Sequence, residues 1–456
     1  MRRVVKVSRI RIIITIIVVV LTTLLTGCTG KEPNEIAYVV ALGIDSTDDD
    51  NYKITIQYAN TTQISGGASE SGGKAGSEIV DNVTIEAPNI YAGVGLANNI
   101  VSKSFSMSHA KLIVFSKEIA EKGVKDMIET LVRSEEIRPD VFIAVANTTA
   151  NDYLTSVNPE MEVNPAQYYQ LIYQKNQLVG IPDGQLREFF TGLYTDNYDS
   201  ILPVAGVIEG SGGNSQNDDR EQSKDGQNEG SEGSSESLDS FESKRSDDKD
   251  ENEKEKDAEK NTSKYEYDIK NYVGGETAIE KKNKAEAIGA AVFEKDKMVG
   301  ELGEVETEIC KILKGDYTYS YLTYYNNDTP DIPITVKTTQ QKKPKYKIDT
   351  DKKTVDIELY IESDLYSLPA DYNVENKIED FERDVANYTS SACTEFINNF
   401  TKKYNSDILK LNEKVKYKFL TNNQYNWFKK NVGWSEYKFS VCTNFKVRRT
   451  GLIVRE

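Results

Sequence analysis

Side chains that commonly act as nucleophiles, bases or metal ligands are scarce in this chain. Its 456 residues include four cysteines and one histidine, His109. Most catalytic triads and most catalytic zinc sites would have to use that single imidazole. We predict a structural role for His109, bonding backbone at the start of a strand; a pH-sensitive contact is the alternative. These side chains therefore predict no catalytic residue, no metal ligand and no cofactor-binding residue.

The four cysteines show no Cys-x-x-Cys spacing, so the sequence does not indicate a zinc site. Cys28 stands near the N-terminus, and Cys310, Cys393 and Cys442 lie in the second half of the chain. Three cysteines cannot all pair within one chain. We predict that these three are buried free thiols, with one disulfide and one leftover thiol as the alternative.

Cys28 has the most specific surroundings of the four cysteines. Five basic residues within the first eleven positions precede an uncharged apolar run over residues 12–25, and Thr26 and Gly27 follow. A basic region, an apolar region and small residues, in that order, form an export signal. The apolar run has 14 residues, whereas a membrane-spanning helix needs about 20. An uncleaved transmembrane anchor is the alternative.

The sequence Leu25-Thr26-Gly27-Cys28 resembles the lipobox of bacterial lipoproteins. In those proteins the cysteine thiol receives a diacylglyceryl group, and cleavage makes that cysteine the first mature residue. The resemblance implies a signal peptide over residues 1–27 and a lipid anchor on Cys28, outside the cytoplasm. Two acyl chains anchor a protein stably, whereas a single chain binds a bilayer only marginally.

The charge of the chain restricts its partners. The formal net charge is −17, and loss of the five basic residues of the signal would bring it near −22. Nucleic acid selects basic surfaces, so we predict no nucleic-acid binding. The same balance argues against a polybasic contact with anionic lipid. Membrane attachment is therefore expected from the lipid on Cys28 or from a partner protein.

The N-terminal region, residues 28–208, has the pattern of a mixed α+β fold, with two subdomains divided near residue 155. Residues 36–44 and 52–58 predict a strand hairpin joined by the acidic stretch 45–51. That stretch lacks the glycine and distal glutamate of an EF-hand loop, so we predict a turn and no metal site. Further predicted elements are helices over 88–101, 119–133 and 164–194, and strands over 112–115, 141–146 and 201–208.

Residues 209–264 differ in kind from the regions on either side. Between Ser211 and Lys264 there are seventeen acidic and nine basic residues, and the only apolar side chains are Leu238, Phe241 and Ala258. Such a composition buries too little apolar surface to offset the entropy of ordering. We predict an acidic disordered insert, with a charged docking tail as the alternative, followed by a connecting segment over residues 265–284.

The C-terminal region, residues 285–456, is predicted to be a second α+β domain. Residues 374–404 carry apolar side chains every three or four positions, which predicts one long helix packed on a sheet. A shorter helix is predicted over 407–419. The predicted strands are a hairpin over 287–302 and segments 318–325, 332–341, 346–349, 354–365 and 437–447.

Three tyrosines in this region form a candidate partner-binding surface. Tyr317, Tyr319 and Tyr321 alternate in the sequence and should share one face of a strand. Aromatic side chains are enriched at protein contacts. Packing of the three rings against the long helix is the alternative.

The order of these features resembles the Ger(x)C family, lipoprotein C subunits of nutrient germinant receptors in spores. The resemblance covers nearly the whole chain after Cys28 except the insert. Leu409 to Asn412 departs from the glycine-bearing turn of the family. The matching segments are residues 34–37 and 41–45, residues 108–114, which begin Ser108-His109-Ala110-Lys111, residues 133–139, residues 289–293 and 297–302 of the hairpin, Asp407-Ile408, Trp427, Trp434 and Arg449-Thr450-Gly451.

The resemblance implies about three α+β domains and a lipid-anchored position on the outer face of the spore inner membrane. It also implies assembly with two integral membrane subunits, of A and B type, and no enzymatic activity. Two other classes of function stay open from the residues alone. One is a surface hydrolase that uses paired carboxylates, which need a separation of about 5–10 Å; the other is a solute-binding lipoprotein.

Overall fold

A computed structural model gives the fold of the chain on both sides of the insert. Cys28, the insert 209–264 and most of the connecting segment 265–284 lie outside the residues that it describes, so the predictions made for them stay predictions. The described residues are 13–17, 35–49, 51–59, 80–157, 164–174, 180–195, 197–208, 271–277, 284–325, 333–367, 377–404 and 406–450.

The first sheet has nine strands and combines residues from before and after the insert. Its strand order is β3-β2-β1-β5-β6-β7-β8-β9, with β4 paired to β1. The predicted hairpin of β1 and β2 is confirmed, and β1, β5, β6 and β7 run parallel. The strands are β1 Ile36–Ser46, β2 Tyr52–Ala59, β3 Val80–Ala87, β4 Ser104–Ser106, β5 Leu112–Ser116, β6 Phe142–Ala146, β7 Ile201–Val207, β8 Ala285–Glu294 and β9 Lys297–Leu302.

Strands β8 and β9 follow the insert in sequence but complete this sheet, because β8 pairs with β7 in antiparallel register. The hairpin that they form was predicted from the sequence, whereas its place in the first sheet was not. The predicted domain boundaries, including the division near residue 155, stay predictions.

Helices cover both faces of the first sheet, which explains why its central strands β5 and β6 carry apolar side chains on both faces. In β5, Ile113 and Phe115 belong to one buried cluster, and Leu112 and Val114 belong to the cluster on the other face. The helices are α1 Ile90–Ile100, α2 Lys117–Lys122, α3 Lys125–Val132, α4 Ala150–Ser156, α5 Pro165–Gln174 and α6 Leu186–Thr195.

Two of the predicted helices are each divided in the structure. The helix predicted over 119–133 is α2 and α3, separated at Gly123, whose φ of 124° is not helical. The helix predicted over 164–194 is α5 and α6, and the described part of the intervening chain contains Gly180 and Pro182 outside any helix. Glycine and proline favour such interruptions because one tolerates positive φ and the other cannot continue the hydrogen-bond ladder.

The second sheet has five strands, in the order β10-β11-β13-β12, with β14 parallel to β13. The long helix α8 spans Ile378–Lys403 and buries Phe381, Val385, Phe396 and Phe400 against this sheet. The predicted α+β class and the helix packed on the C-terminal sheet are therefore confirmed. The strands are β10 Tyr319–Tyr325, β11 Pro333–Gln340, β12 Lys345–Asp349, β13 Thr354–Ser367 and β14 Lys438–Arg449.

Three further α-helices lie in the described part of this region. The helix predicted over 407–419 is shorter, α9 Leu411–Val415, and continues as a 3₁₀ turn over Lys416–Lys418. Helices α7 Glu304–Lys314 and α10 Asn422–Asn431 were not predicted from the sequence. A second 3₁₀ turn, Trp434–Glu436, precedes β14.

Polar side chains of α8 cover the free edge of β14. Glu382, Ser390, Thr394 and Asn398 accept hydrogen bonds from the backbone N–H groups of Val447, Thr443, Val441 and Phe439 at 2.8–3.1 Å. The amide nitrogen of Asn398 also donates to Phe439 O at 3.0 Å. An uncovered strand edge would leave these groups unpaired. The helix therefore acts as a substitute for a neighbouring strand.

We expect the Asn398→Ala variant to lose about 1–3 kcal/mol of unfolding free energy, because the buried edge of Phe439 loses both of its partners. Urea denaturation of the protein would measure the change. Asn444→Ala is the matched control, since this exposed asparagine bonds only Glu358 on the open sheet face, at 3.0 Å. Equal losses of unfolding free energy in the two variants would show that the hydrogen bonds from α8 to the edge of β14 contribute nothing to stability.

Candidate functional site

Charged side chains converge in a cleft of about 560 Å³. One wall comes from Tyr198, Asp199 and the β8–β9 turn. The other wall comes from Tyr404, Asp407 and the residues around Trp434. The cleft therefore lies where the first sheet meets the segments that follow α8.

Two acidic residues of the cleft hold these walls together. Asp199 Oδ1 accepts a hydrogen bond from Lys295 N at 2.9 Å, and its Oδ2 accepts one from Asp407 N at 2.8 Å. The Asp407 carboxylate in turn accepts bonds from Leu411 N and Asn412 N, both at 2.8 Å. Each of the four carboxylate oxygens thus accepts a backbone N–H. This arrangement favours a structural role for both acids over paired-carboxylate hydrolysis.

Asp407 has an unusual protonation equilibrium because it is buried. Burial raises the pKa of its carboxyl to about 7, and the backbone bonds from Asn412 and Leu411 oppose that rise. The nearby Asp199 carboxylate raises the pKa further. The contact between Asp199 and Asp407, which joins the two walls, therefore includes a carboxyl group that gains or loses a proton near neutral pH.

Asn412 and Asn197 add side-chain hydrogen bonds to the contact between the two walls of the cleft. The indole nitrogen of Trp434 donates to Asn412 Oδ1 at 3.2 Å. The Tyr425 hydroxyl lies 3.2 Å from Asn197 Oδ1 and 3.1 Å from Asn412 O, and Lys429 Nζ lies 3.1 Å from the same Asn197 oxygen. No pattern in the sequence predicted this cleft. The only local signal was Asp407 four residues before Leu411, an arrangement that resembles a helix cap.

The three predicted partner-binding tyrosines do not share one environment. Tyr317 precedes β10, is 5% exposed, and bonds Thr338 inside the core, so it is removed from any contact surface. Tyr319 is half-buried and Tyr321 is 54% exposed. The structure therefore keeps two of the three residues at the surface.

Tyr319 and Tyr321 belong to a larger aromatic surface, which we call the tyrosine face. Their rings meet edge to face at 6.3 Å, and Tyr321 meets Tyr366 of β13 at 5.4 Å. Lys337 Nζ lies 4.4 Å above the Tyr319 ring. Tyr319, Tyr321, Tyr366 and Lys337 define the face.

The remaining reactive side chains stay separate. Cys310, Cys393 and Cys442 are free, as predicted, although Cys442 is exposed. Burial raises the pKa of Cys310 to about 11 and that of Cys393 to about 12, so both thiols stay protonated. His109 is exposed, and its ring meets Tyr38 edge to face at 4.9 Å.

Asp45, the first residue of the predicted acidic turn, lies near the end of β1 and binds the first backbone N–H groups of α4. Asp45 accepts hydrogen bonds from Ala150 N at 2.6 Å and Asn151 N at 3.0 Å, at the start of α4.

Across the described ranges, no group of three or more histidine, cysteine, aspartate or glutamate residues is placed to hold a metal ion. No helix among the described residues combines the length and the apolar character needed to cross a bilayer.

Two family models match the chain, one on each side of the insert. Residues 30–207 match the spore germination protein N-terminal domain, and residues 288–451 match the spore germination B3/GerAC-like C-terminal domain. The chain belongs to the Ger(x)C family of spore germination proteins. The resemblance noted in the sequence is thereby confirmed, and both sheets of the Ger(x)C chain fall within matched residues except for the first three residues of β8.

Curated relatives share limited identity with this Ger(x)C chain. Spore germination protein KC of Bacillus subtilis (strain 168) is 26% identical over 174 residues, which cover 35% of this chain and 42% of the relative. The putative spore germination protein YfkR of the same organism is 28% identical over 145 residues, or 32% and 37% of the two chains. The matched region thus spans about two fifths of the length of these relatives.

A solved structure extends the comparison. The crystal structure of the GerBC protein is 14% identical, with a TM-score of 0.47, and the alignment covers 89% of this Ger(x)C chain and 96% of GerBC.

Proposed function

We propose that this chain is a non-enzymatic lipoprotein subunit of a nutrient germinant receptor. In this proposal a lipid on Cys28 holds the chain on the outer face of the spore inner membrane. There it assembles with two integral membrane subunits, of A and B type, and takes part in triggering germination. The observation that carries the proposal is the ordered match of both family domains, the first of which begins at residue 30, directly after the lipobox.

The chemistry of the described residues supports a role without catalysis. The two acids of the cleft direct all four carboxylate oxygens to backbone N–H groups. The two buried thiols stay protonated because burial raises the pKa of each. These groups are therefore poor candidates for a base or a nucleophile, since each task needs a group that is accessible and ready to react.

The tyrosine face is the contact surface that we assign to a partner subunit. Tyr321 and Tyr366 are 54% and 60% exposed, and their edge-to-face packing limits the rotation of both rings. Rigid aromatic side chains lose little conformational entropy on binding and dominate many protein interfaces. Lys337 adds a positive charge beside Tyr319, which suits an acidic or carbonyl-rich surface on the partner.

Purification of the tagged protein from detergent-solubilised spore membranes tests the assembly. We expect the wild-type chain to recover two integral membrane subunits. The Tyr319→Ser/Tyr321→Ser double variant should recover at least about tenfold less of them, as for the loss of two interface anchors. Protein mass spectrometry of the eluate measures both results.

The control replaces an exposed tyrosine outside the tyrosine face. Tyr194 lies on α6 and is 49% exposed, so Tyr194→Ser should leave recovery unchanged. All variants should keep the wild-type melting temperature within a few degrees. Normal recovery by the double variant would remove the tyrosine face from the interface. Failure of the wild-type chain to recover membrane subunits, or hydrolase activity of the purified protein, would overturn the proposed function.

A further inference from the structure

The segment between α9 and the end of α10 exposes three large apolar side chains. Tyr417 is 93% exposed, Leu420 is 94% exposed and Trp427 is 64% exposed. The first two have the highest exposure among the large hydrophobic side chains of the described residues. Exposing an aromatic or aliphatic side chain to water to this degree is unfavourable unless another surface covers it.

The local fold keeps these side chains outward. The Phe419 ring lies 5.9 Å from Tyr425 and 5.0 Å from Phe428, so it turns into the core between its exposed neighbours. Helix α10 begins after Thr421, whose hydroxyl accepts from Gln424 N at 3.3 Å. Because successive residues of a helix are rotated by about 100°, Trp427 projects away from the buried face that carries Tyr425 and Phe428.

The charge of this segment is opposite to that of the whole chain. Residues 410–430 contain six lysines and a single acidic residue, Glu413, whereas the chain carries a net charge of −17. Lys416, Lys418 and Lys430 are exposed, and each lies within three residues of Tyr417, Leu420 or Trp427 in the sequence. The Lys418 ammonium donates to Ile348 O. The overall charge argued against a basic contact with lipid, but the lysines are concentrated where the apolar side chains emerge.

We propose that this segment is a binding surface for anionic phospholipid. We name it the basic aromatic patch and define it by Lys416, Tyr417, Leu420, Trp427 and Lys430. Tryptophan, tyrosine and leucine enter the boundary between headgroups and acyl chains, and lysine extends its ammonium group to the phosphates. A protein interface core is typically depleted of lysine, so the combination fits a lipid surface better than a protein surface.

The patch would restrict how the protein lies on the membrane. This inference rests on the proposed function in one respect, because the lipid on Cys28 is what brings the chain to the bilayer. A lipid at one end leaves the ectodomain free to rotate and tilt. A second contact through the patch brings the C-terminal region down to the headgroups.

Depth-sensitive fluorescence quenching tests the patch in the mature lipidated protein. The protein is reconstituted into vesicles of phosphatidylcholine, with or without an equal part of phosphatidylglycerol, and brominated acyl chains serve as the quencher. The chain has two tryptophans, and Trp434 is only 8% exposed. We expect strong quenching of the Trp427 emission on anionic vesicles and its absence in Trp427→Phe, which reports Trp434 alone.

Charge variants identify the lysines as the source of the lipid preference. Each lysine beside an anionic surface contributes about a fivefold change in the binding equilibrium, so Lys416→Glu/Lys430→Glu should reduce quenching on anionic vesicles toward the level on neutral ones. Lys125→Glu/Lys297→Glu is the matched control, since it reverses two exposed lysines outside the patch. Quenching in this control should equal that of the wild type.

Two measurements distinguish a failure of the basic aromatic patch from a failure of the lipid anchor on Cys28. Mass spectrometry reports whether Cys28 carries the lipid, and vesicle flotation reports attachment. A protein that floats with the vesicles while Trp427 stays unquenched would overturn the patch and leave the anchor intact. A chain without lipid that still shows quenched Trp427 on anionic vesicles would support the patch and refute the anchor. A chain without lipid whose Trp427 stays unquenched even at a high concentration of anionic vesicles would overturn both.

Discussion

The Cys28→Ala variant should be lost from spore membranes. Without the thiol no diacylglyceryl group can be attached, and two acyl chains contribute about 0.8 kcal/mol for each buried CH₂. The basic aromatic patch alone cannot replace them, because stable membrane attachment takes two signals. Immunoblotting of membrane and soluble fractions from broken spores measures the change, and we expect nearly all of the variant in the soluble fraction.

Cys442→Ala is the matched control for that experiment, because it removes an exposed free thiol far along the chain. It should stay in the membrane fraction. If Cys28→Ala also stays there, two explanations can be separated by the size of the protein. A chain that keeps residues 1–27 has an uncleaved transmembrane anchor, whereas a chain of mature size is held by its partner subunits.

The second large effect is on the pH dependence of stability, through Asp407. Its folded pKa is about 7, raised by burial from an ordinary value of 3.8. The folded state therefore binds the proton more tightly than the unfolded state does. Stability should fall as the pH rises from about 4 to about 7, by up to about 4 kcal/mol from this one group.

Urea denaturation at pH 5 and pH 8 measures this dependence. The Asp407→Asn variant cannot ionise, so most of the slope that Asp407 contributes should disappear. Glu308, whose pKa is also raised to about 7 by burial, should leave a remaining slope. Asp126→Asn, at an exposed acid on α3, serves as the control and should keep the wild-type slope. An unchanged slope in Asp407→Asn would show that this carboxyl does not link pH to folding.

Elements with a strong local pattern could be predicted from the sequence. The apolar runs of β5 and β6 and the stripe along α8 predicted their elements because each reports burial directly. Helix α2 and helix α3 were merged because the periodicity continues across Gly123, and only the positive φ of that residue divides them. Local pattern does not record such a backbone angle.

Long-range pairing could not be predicted in the same way. Nothing in residues 285–302 indicates that they pair with β7 across an insert of more than fifty residues. The cleft depends on that pairing, since the β8–β9 turn carries Lys295 to Asp199. Tyr317 was grouped with Tyr319 and Tyr321 because the alternation was extended two residues before the start of β10. Site residues that come from distant segments therefore need the fold before they can be recognised.

The hydrogen bonds between α8 and the edge of β14 have a consequence for self-association when many copies share one membrane. Proteins confined to one membrane meet their own copies at a high effective concentration, and exposed strand edges then invite copies to join sheet to sheet. Side chains of α8 close this route at one end of the second sheet. Strand β10, at the other end of the strand order, carries Tyr319 and Tyr321. The sheet is thus asymmetric: one border resists self-association, and the opposite border displays the side chains suited to a different protein.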